Sequence, residues 1–156
     1  MTPPPDGNKS VTYLIHKGDL QLVEANLDGA LRLFDQSRAH LRSASQIIDG
    51  DAGGSFQLSY DAARKSMTAI LLIQGLRHTS QGGHLVVEQA ITAQFPEIVD
   101  FAALRWMRPL RNQTEYPTPN RPTASSEDAL LGLQAATVVV REAEKLAETV
   151  KPFDVF

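Results

Sequence analysis

Hydrophobic and polar residues follow the period of an α-helix along most of this 156-residue chain. Between residues 19 and 48, apolar or small residues recur at spacings of three, four or their sums, which places them on one stripe of a helix. The segment DGDAGGS, rich in turn-forming residues, follows at 49–55. The pattern therefore predicts a long amphipathic helix over residues 19–48. Its stripe comprises Leu20, Val23, Leu27, Ala30, Leu31, Phe34, Leu41, Ala44 and Ile48.

A second long helix is predicted to begin at Ser55. Its segment AILLI, residues 69–73, is apolar on nearly all sides, as expected for a helix buried between others. Arg77 and His78 near its end precede a Gly-Gly pair. Cations and glycine both suit a helix C-terminus, so we assign these residues to the last turn and its cap.

Shorter helices and one further long helix complete the pattern. Pro109 is expected to end the helix that starts at Pro96, because proline lacks the backbone donor. Ser125 and Asp128 form a capping box before the last helix. The loop PTPNRPTAS precedes this box. These four helices are predicted over residues 11–17, with Ser10 as the cap, and over residues 84–95, 96–107 and 126–150.

The predicted fold is all-α, because no segment alternates with the period of two that a half-buried strand requires. Short connections favour antiparallel neighbours in a helical bundle. Residues 10–156 are expected to form a single domain. Residues 1–9 contain three consecutive prolines and are predicted to be a disordered tail.

Composition narrows the possible functions. A formal net charge of −3 argues against a protein that coats duplex DNA, and the absence of cysteine excludes disulfides and thiolate sites. No zinc-type spacing, HExxH, phosphate-binding glycine loop or GxSxG occurs, so we expect neither metal nor cofactor. We expect no secretory signal, because the segment MTPPPDGNKS has no basic start followed by an apolar core, and no apolar run is long enough to span a bilayer. We therefore predict a soluble, cytoplasmic protein without a membrane partner.

The segment RWMRPLRNQTEYP is the strongest local signal for a binding site. Arg105, Arg108 and Arg111 supply donors suited to phosphate. Asn112 can contact a sugar or a base edge, and Tyr116 can stack or donate a hydrogen bond. An alternative interpretation makes the arginines a helix cap and Tyr116 a half-buried anchor.

Arg77, His78 and His84 flank the Gly-Gly turn and form a second candidate group. Histidine can act as an acid or base near neutral pH, and arginine can hold a phosphate. Nothing nearby in the sequence orients the histidines. We therefore favour the alternative, in which His78 caps a helix end and His84 starts a helix.

A third candidate group lies on the second long helix. Asp61 and Lys65 are four residues apart, so they are expected to pair on a solvated face. Tyr60 is expected in the core. Arg64 completes this group.

Three segments together carry a family resemblance: SYDAARKSMTAILLIQGLR, then GGHLVVEQAITAQF, then RPLRNQTEYP before the final helix. In this order they resemble the HEPN superfamily of small helical proteins, over roughly Leu20 to Val150. The resemblance implies an antiparallel bundle of four or five helices and a homodimer with a composite groove. Many members are metal-independent endoribonucleases, often toxins paired with a nucleotidyltransferase antitoxin or effectors of phage defence.

The family motif is Arg, a polar residue that is often Asn, several further residues, and then His. Arg111 and Asn112 match its first two positions, but Tyr116 stands where the histidine is expected. The chain thus resembles the branch whose motif ends in tyrosine, and a group with a pKa near 10 is a poor base at neutral pH. Arg77 and His84 have suitable spacing outside the motif's usual place, which we interpret as coincidence, although many relatives begin this helix with His.

Three hypotheses follow. The leading one is a non-catalytic or residual HEPN homodimer that binds RNA, a nucleotide or a partner protein. Its binding residues would be Arg105, Arg108, Arg111, Asn112 and Tyr116. The second is an endoribonuclease toxin in which Arg111 stabilises the phosphorane, Asn112 orients the strand, and His84 or Tyr116 transfers the proton. The third is a purely structural protein-interaction module.

Overall fold

The structure is a computed structural model that describes residues 5–120 and 123–154. Helices dominate it, so the predicted all-α bundle is confirmed. The elements in chain order are α1 (Pro5–Lys17), β1 (Leu20–Leu22), α2 (Leu27–Ile47), α3 (Ala52–Gln74), β2 (Leu76–His78), α4 (Gly83–Gln94), a 3₁₀ helix (Val99–Ala103), α5 (Leu104–Glu115) and α6 (Ser126–Ala147).

Helix α3 lies at the centre of the bundle. It packs against α2, α4, α5 and α6, and the end of α3 also contacts β2. Its apolar segment AILLI is surrounded by these neighbours, which confirms the prediction of a helix buried between others. Its largest fully buried side chains are Phe56, Tyr60, Met67, Ile70 and Leu71.

A short antiparallel strand pair corrects two predictions. Residues 20–22 pair with residues 76–78, so the helix predicted over 19–48 begins only at Leu27, and the prediction of no strand was wrong. Gly75 ends α3 in the left-handed region with φ of 77°. Arg77 and His78 therefore lie in β2 and not in a helix end. A strand of three residues is too short to show an alternating pattern. The pairing itself is not visible in the sequence either, because the two strands are far apart in the chain.

Helix α1 begins earlier than predicted. It starts at Pro5, whereas the sequence places a disordered tail over residues 1–9, so that boundary is corrected. Residues 1–4 lie outside the described residues. Close packing on α4 accounts for the extension, because a Cβ at the buried Gly7 would lie 2.7 Å from the carbonyl oxygen of Ala93.

Pro109 does not end its helix. Helix α5 runs from Leu104 to Glu115 and carries Pro109 inside it, while residues 99–103 form a 3₁₀ helix instead of the predicted α-helix. A proline in this position removes one backbone hydrogen bond. Burial of Leu104, Met107 and Thr114 against the core compensates for that loss.

Side-chain caps define the starts of the three long helices. Asn26 and Asp51 accept hydrogen bonds from Gly29 N and Gly54 N, so α3 begins at Ala52 and not at the predicted Ser55. The capping box before α6 is confirmed, because Asp128 N donates to Ser125 Oγ at 3.1 Å and Ser125 N donates to Asp128 Oδ2 at 2.9 Å.

Replacement of Gly132 tests the packing of α6 on α3. A Cβ there would lie 2.8 Å from Cδ2 of Phe56, a fully buried ring. We expect Gly132→Ala to lower the free energy of unfolding by about 1–3 kcal/mol through overpacking, despite the better helix propensity of alanine. Urea denaturation measures this. Gly50→Ala is the control, because nothing lies within 4 Å of its Cβ; equal stability of the two variants would contradict the prediction.

Candidate anion-binding site

The candidate site surrounds the buried Tyr60 of α3. The guanidinium carbon of Arg111, on α5, lies 5.9 Å from the centre of the Tyr60 ring, within the range of a cation–π contact. One turn further along α5, Glu115 forms an ion pair with Arg111. The Arg111 side chain is only 24% exposed, so it lies against the bundle and does not extend into solvent.

Arg64 brings a second guanidinium to the site. It follows Tyr60 by one turn of α3, its side chain is 14% exposed, and its Nη2 lies 3.6 Å from Oδ1 of Asp61. Arg108 on α5 contributes a third, with its Nε 3.3 Å from the buried Glu88 carboxylate of α4. We call Tyr60, Arg64, Arg108 and Arg111 the arginine cluster.

Two donors of the arginine cluster are buried without an acceptor. Within residues 5–120 and 123–154, the Nε atoms of Arg64 and Arg111 have no hydrogen-bond partner. A buried donor without an acceptor costs free energy, and the cost is larger for a charged group. These two donors therefore lack an acceptor within the protein, and because they are closed to solvent, an anionic ligand reaches them only if neighbouring side chains move.

The environment of Tyr60 keeps its hydroxyl protonated. Burial raises the pKa of Tyr60, and the charge of Glu88 acts in the same direction. The three arginines of the cluster oppose this rise but do not cancel it. Near neutral pH, Tyr60 is therefore a neutral hydroxyl that can donate a hydrogen bond.

His84 lies beside the arginine cluster, in the first turn of α4. Burial lowers the pKa of His84, and the charges of Arg64, His78 and Arg111 lower it further, while Asp61 opposes them. The rings of His84 and His78 meet edge to face with centroids 6.2 Å apart. His84 is therefore a neutral imidazole near pH 7, with a nitrogen that can accept a proton.

The binding residues predicted in the segment RWMRPLRNQTEYP do not lie at one site in the structure. Only Arg108 and Arg111 belong to the arginine cluster. Arg108, Asn112 and Tyr116 follow one another at intervals of four residues and line a shallow depression of about 370 Å³. Arg105 lines a different groove, formed with α1 and α4. Tyr116 is 71% exposed, so it does not pack against the core as the alternative interpretation required.

The third candidate group behaves differently from its prediction. Asp61 pairs with Arg64, and Lys65 instead donates a hydrogen bond to Nε2 of His40 at 2.8 Å, so the predicted Asp61–Lys65 pair was wrong. The core position of Tyr60 is confirmed. The sequence places Tyr60 and Arg64 in this third group but not with the binding residues predicted around Arg111. Their spacing of four residues puts both on one helix face, but it does not indicate that this face meets α5.

The second candidate group divides between two locations. Nη2 of Arg77 donates to Oε1 of Gln21 at 2.7 Å, across the strand pair. His84 instead interacts with the arginine cluster. His78 lies in β2 and so does not cap a helix end, whereas the position of His84 at the start of a helix is confirmed.

Two further properties concern only the described residues. None of their His, Asp and Glu side chains form a group of three that could hold a metal ion. None of their helices is both long enough and apolar enough to cross a membrane.

Comparison with known proteins identified no matching family model and no similar curated sequence. The HEPN resemblance consequently rests on the quoted segments and motif residues, and it stays a prediction.

Titration of His84 tests its coupling to the arginine cluster. Arg64→Gln removes a positive charge that disfavours the imidazolium, so we expect the pKa of His84 to rise. Asp61→Asn removes the opposing negative charge, and we expect the pKa to fall. NMR titration of the histidine ring resonances measures both. The exposed Arg32→Gln on α2 is the control; a shift of the same sign in all three variants would contradict the arrangement.

Proposed function

We propose that this chain is a HEPN-type protein that binds RNA through the arginine cluster, as a homodimer and without cleaving the strand. The observation that supports this proposal is the pair of buried Nε donors of Arg64 and Arg111, which have no acceptor in the described part of the chain. An RNA phosphate supplies the acceptor oxygens that these guanidinium groups lack.

The charges around the cluster favour a ligand that replaces a carboxylate. Arg64, Arg108 and Arg111 are each paired with one acid, and the acid on Arg111 is the partly exposed Glu115. A phosphate oxygen can displace the Glu115 carboxylate and also accept from Nε of Arg111. The guanidinium itself loses little further hydration in this exchange, because it is already largely buried.

The neighbouring depression favours RNA over an isolated phosphate. It is lined by Arg108, Asn112 and the exposed Tyr116, and Arg108 also belongs to the arginine cluster. A phosphate at the cluster would place the adjoining nucleotide near this depression. There Tyr116 can stack on a base, and Asn112 can hydrogen-bond to its edge or to the sugar.

The proposed absence of cleavage rests on the last motif position. Tyr116 replaces the expected histidine and is mostly exposed, whereas Arg111 is directed towards Tyr60. A phenol is also a weak base near pH 7. The homodimer is carried over from the resemblance, and the molar mass from light scattering tests it directly.

We expect Arg111→Met to weaken binding of a fluorescein-labelled single-stranded RNA about tenfold or more, because it removes charge-assisted hydrogen bonds to phosphate. Fluorescence anisotropy at several salt concentrations measures this, and the salt dependence should become shallower. Arg141→Gln is the control, since Arg141 is an exposed cation on α6.

The unfolding free energy of the Arg111→Met variant distinguishes a role of Arg111 in RNA binding from a purely structural role. Removal of Arg111 leaves the partly solvated Glu115 without its partner and ends the cation–π contact with Tyr60, but it also removes a buried donor that has no acceptor. These effects oppose one another, so we expect the unfolding free energy to stay about the same. A structural module predicts the reverse, with lower stability and unchanged RNA affinity. That result would refute the RNA-binding proposal.

A second candidate function is a metal-independent endoribonuclease toxin, and the neutral His84 beside Arg64 and Arg111 favours it. His84 would take the proton of a ribose 2′-hydroxyl while that oxygen attacks the adjacent phosphorus. The arginines would stabilise the phosphorane, and the His84 imidazolium would return its proton to the departing 5′-oxygen. This would leave a 2′,3′-cyclic phosphate and a 5′-hydroxyl end. A nucleotidyltransferase-type antitoxin would be its partner.

Incubation of RNA with the protein in EDTA tests this second function. If the chain is a ribonuclease, we expect cleavage products with cyclic phosphate ends and growth arrest on expression, both abolished by His84→Ala. His16→Ala is the matched control, because His16 is an exposed histidine on α1. Intact RNA after prolonged incubation, together with harmless expression, would exclude cleavage by this chain.

A further inference from the structure

A basic groove lies between α1, α4 and the first turn of α5, on a different set of residues from the arginine cluster. Its volume is about 640 Å³, within the range of small-molecule sites. Lys9, Tyr13 and Lys17 of α1 line it, together with Arg105 of α5. No carboxylate is among the described residues that line it. We call this the α1 groove.

The way in which α1 packs explains why these side chains remain available. Gly7, Val11 and Leu14 are buried, at the spacing of one helical stripe, and α1 makes its main contact with α4. Lys9, Tyr13 and Lys17 are spaced by four residues and form a row along the flank of that stripe. Tyr13 is 64% exposed, so its ring contributes little to the core.

The cations of the α1 groove are not equivalent. Nζ of Lys17 lies 3.1 Å from Oδ2 of the buried Asp19, which holds the ammonium group in position and offsets part of its charge. Lys9 and Arg105 have no ion-pair partner within residues 5–120 and 123–154. The net positive charge of the groove therefore comes mainly from Lys9 and Arg105.

We propose that the α1 groove binds a nucleotide unit, with its base stacked on Tyr13 and its phosphate held by Lys9 and Arg105. An exposed aromatic ring between cations matches a ligand that has both an aromatic plane and a phosphate. A phosphate alone would make no use of Tyr13. The unit is either a free nucleotide or part of a single strand, and this proposal does not depend on the arginine cluster.

Isothermal titration calorimetry of the full chain tests the proposal with ATP, inorganic triphosphate and a 5′-phosphorylated pentaadenylate. We expect Tyr13→Ala to weaken ATP binding about tenfold and to leave triphosphate binding unchanged, since only ATP carries a base. Lys9→Gln combined with Arg105→Gln should weaken both about tenfold. Tyr13→Phe retains the ring and should bind ATP as the wild type does. Both ligands are compared on the Arg111→Met variant, in which the arginine cluster is impaired, and the one that binds more tightly there identifies the source of the nucleotide unit.

Matched variants distinguish this groove from other basic surfaces. Arg32→Gln combined with Arg141→Gln removes the same charge from exposed positions on α2 and α6, and it should leave ATP binding unchanged. Arg111→Met should also leave it unchanged, even where it abolishes binding at the arginine cluster. The proposal is overturned if neither ATP nor pentaadenylate binds the Arg111→Met variant at millimolar concentration. It is also overturned if ATP binding survives both Tyr13→Ala and the Lys9, Arg105 double substitution, or if Arg111→Met is the variant that removes it.

Discussion

Burial of α3 on all sides is the constraint on which the rest of the structure depends. Because α2, α4, α5 and α6 all pack against it, most polar residues that α3 carries must lie in the few gaps between neighbouring helices. Tyr60 and Arg64 share one such gap, which opens towards α4 and α5. Their low exposure is thus a result of the position of α3 in the bundle, and it gives their charges and hydrogen bonds a strength that a solvent-exposed helix face would not have.

Charge balance is what allows three guanidinium groups to lie close together inside the bundle. Each arginine of the cluster has one carboxylate partner, and these partners come from α3, α4 and α5. The charges are therefore paired, but not every donor has a hydrogen bond, since the Nε atoms of Arg64 and Arg111 have no acceptor among the described residues. Apolar residues in place of buried ion pairs are often neutral or stabilising, so the stability of the fold does not by itself account for this polar cluster.

The three arginines of α5 point in different directions around the helix axis and so reach three different surfaces. Because α5 continues through Pro109, residues three apart are rotated around the axis, whereas residues four apart stay close to one line. Arg105 therefore lines the α1 groove, Arg111 reaches Tyr60, and Arg108 lies next to Asn112 and Tyr116. The three arginines are close together in the sequence, but in the structure they contribute to neighbouring surfaces of the bundle.

The sequence by itself determined the helical class, the central buried helix, the core position of Tyr60 and the capping box before α6, because periodicity and caps are encoded by residues close together in the chain. It also placed the candidate chemistry near Arg111. Only the tertiary structure decided that residues 20–22 pair with 76–78, that α1 extends over Gly7, and that α5 continues through Pro109. It alone brought Arg64 and His84 to Arg111, since burial and charge between distant segments depend on how the helices pack.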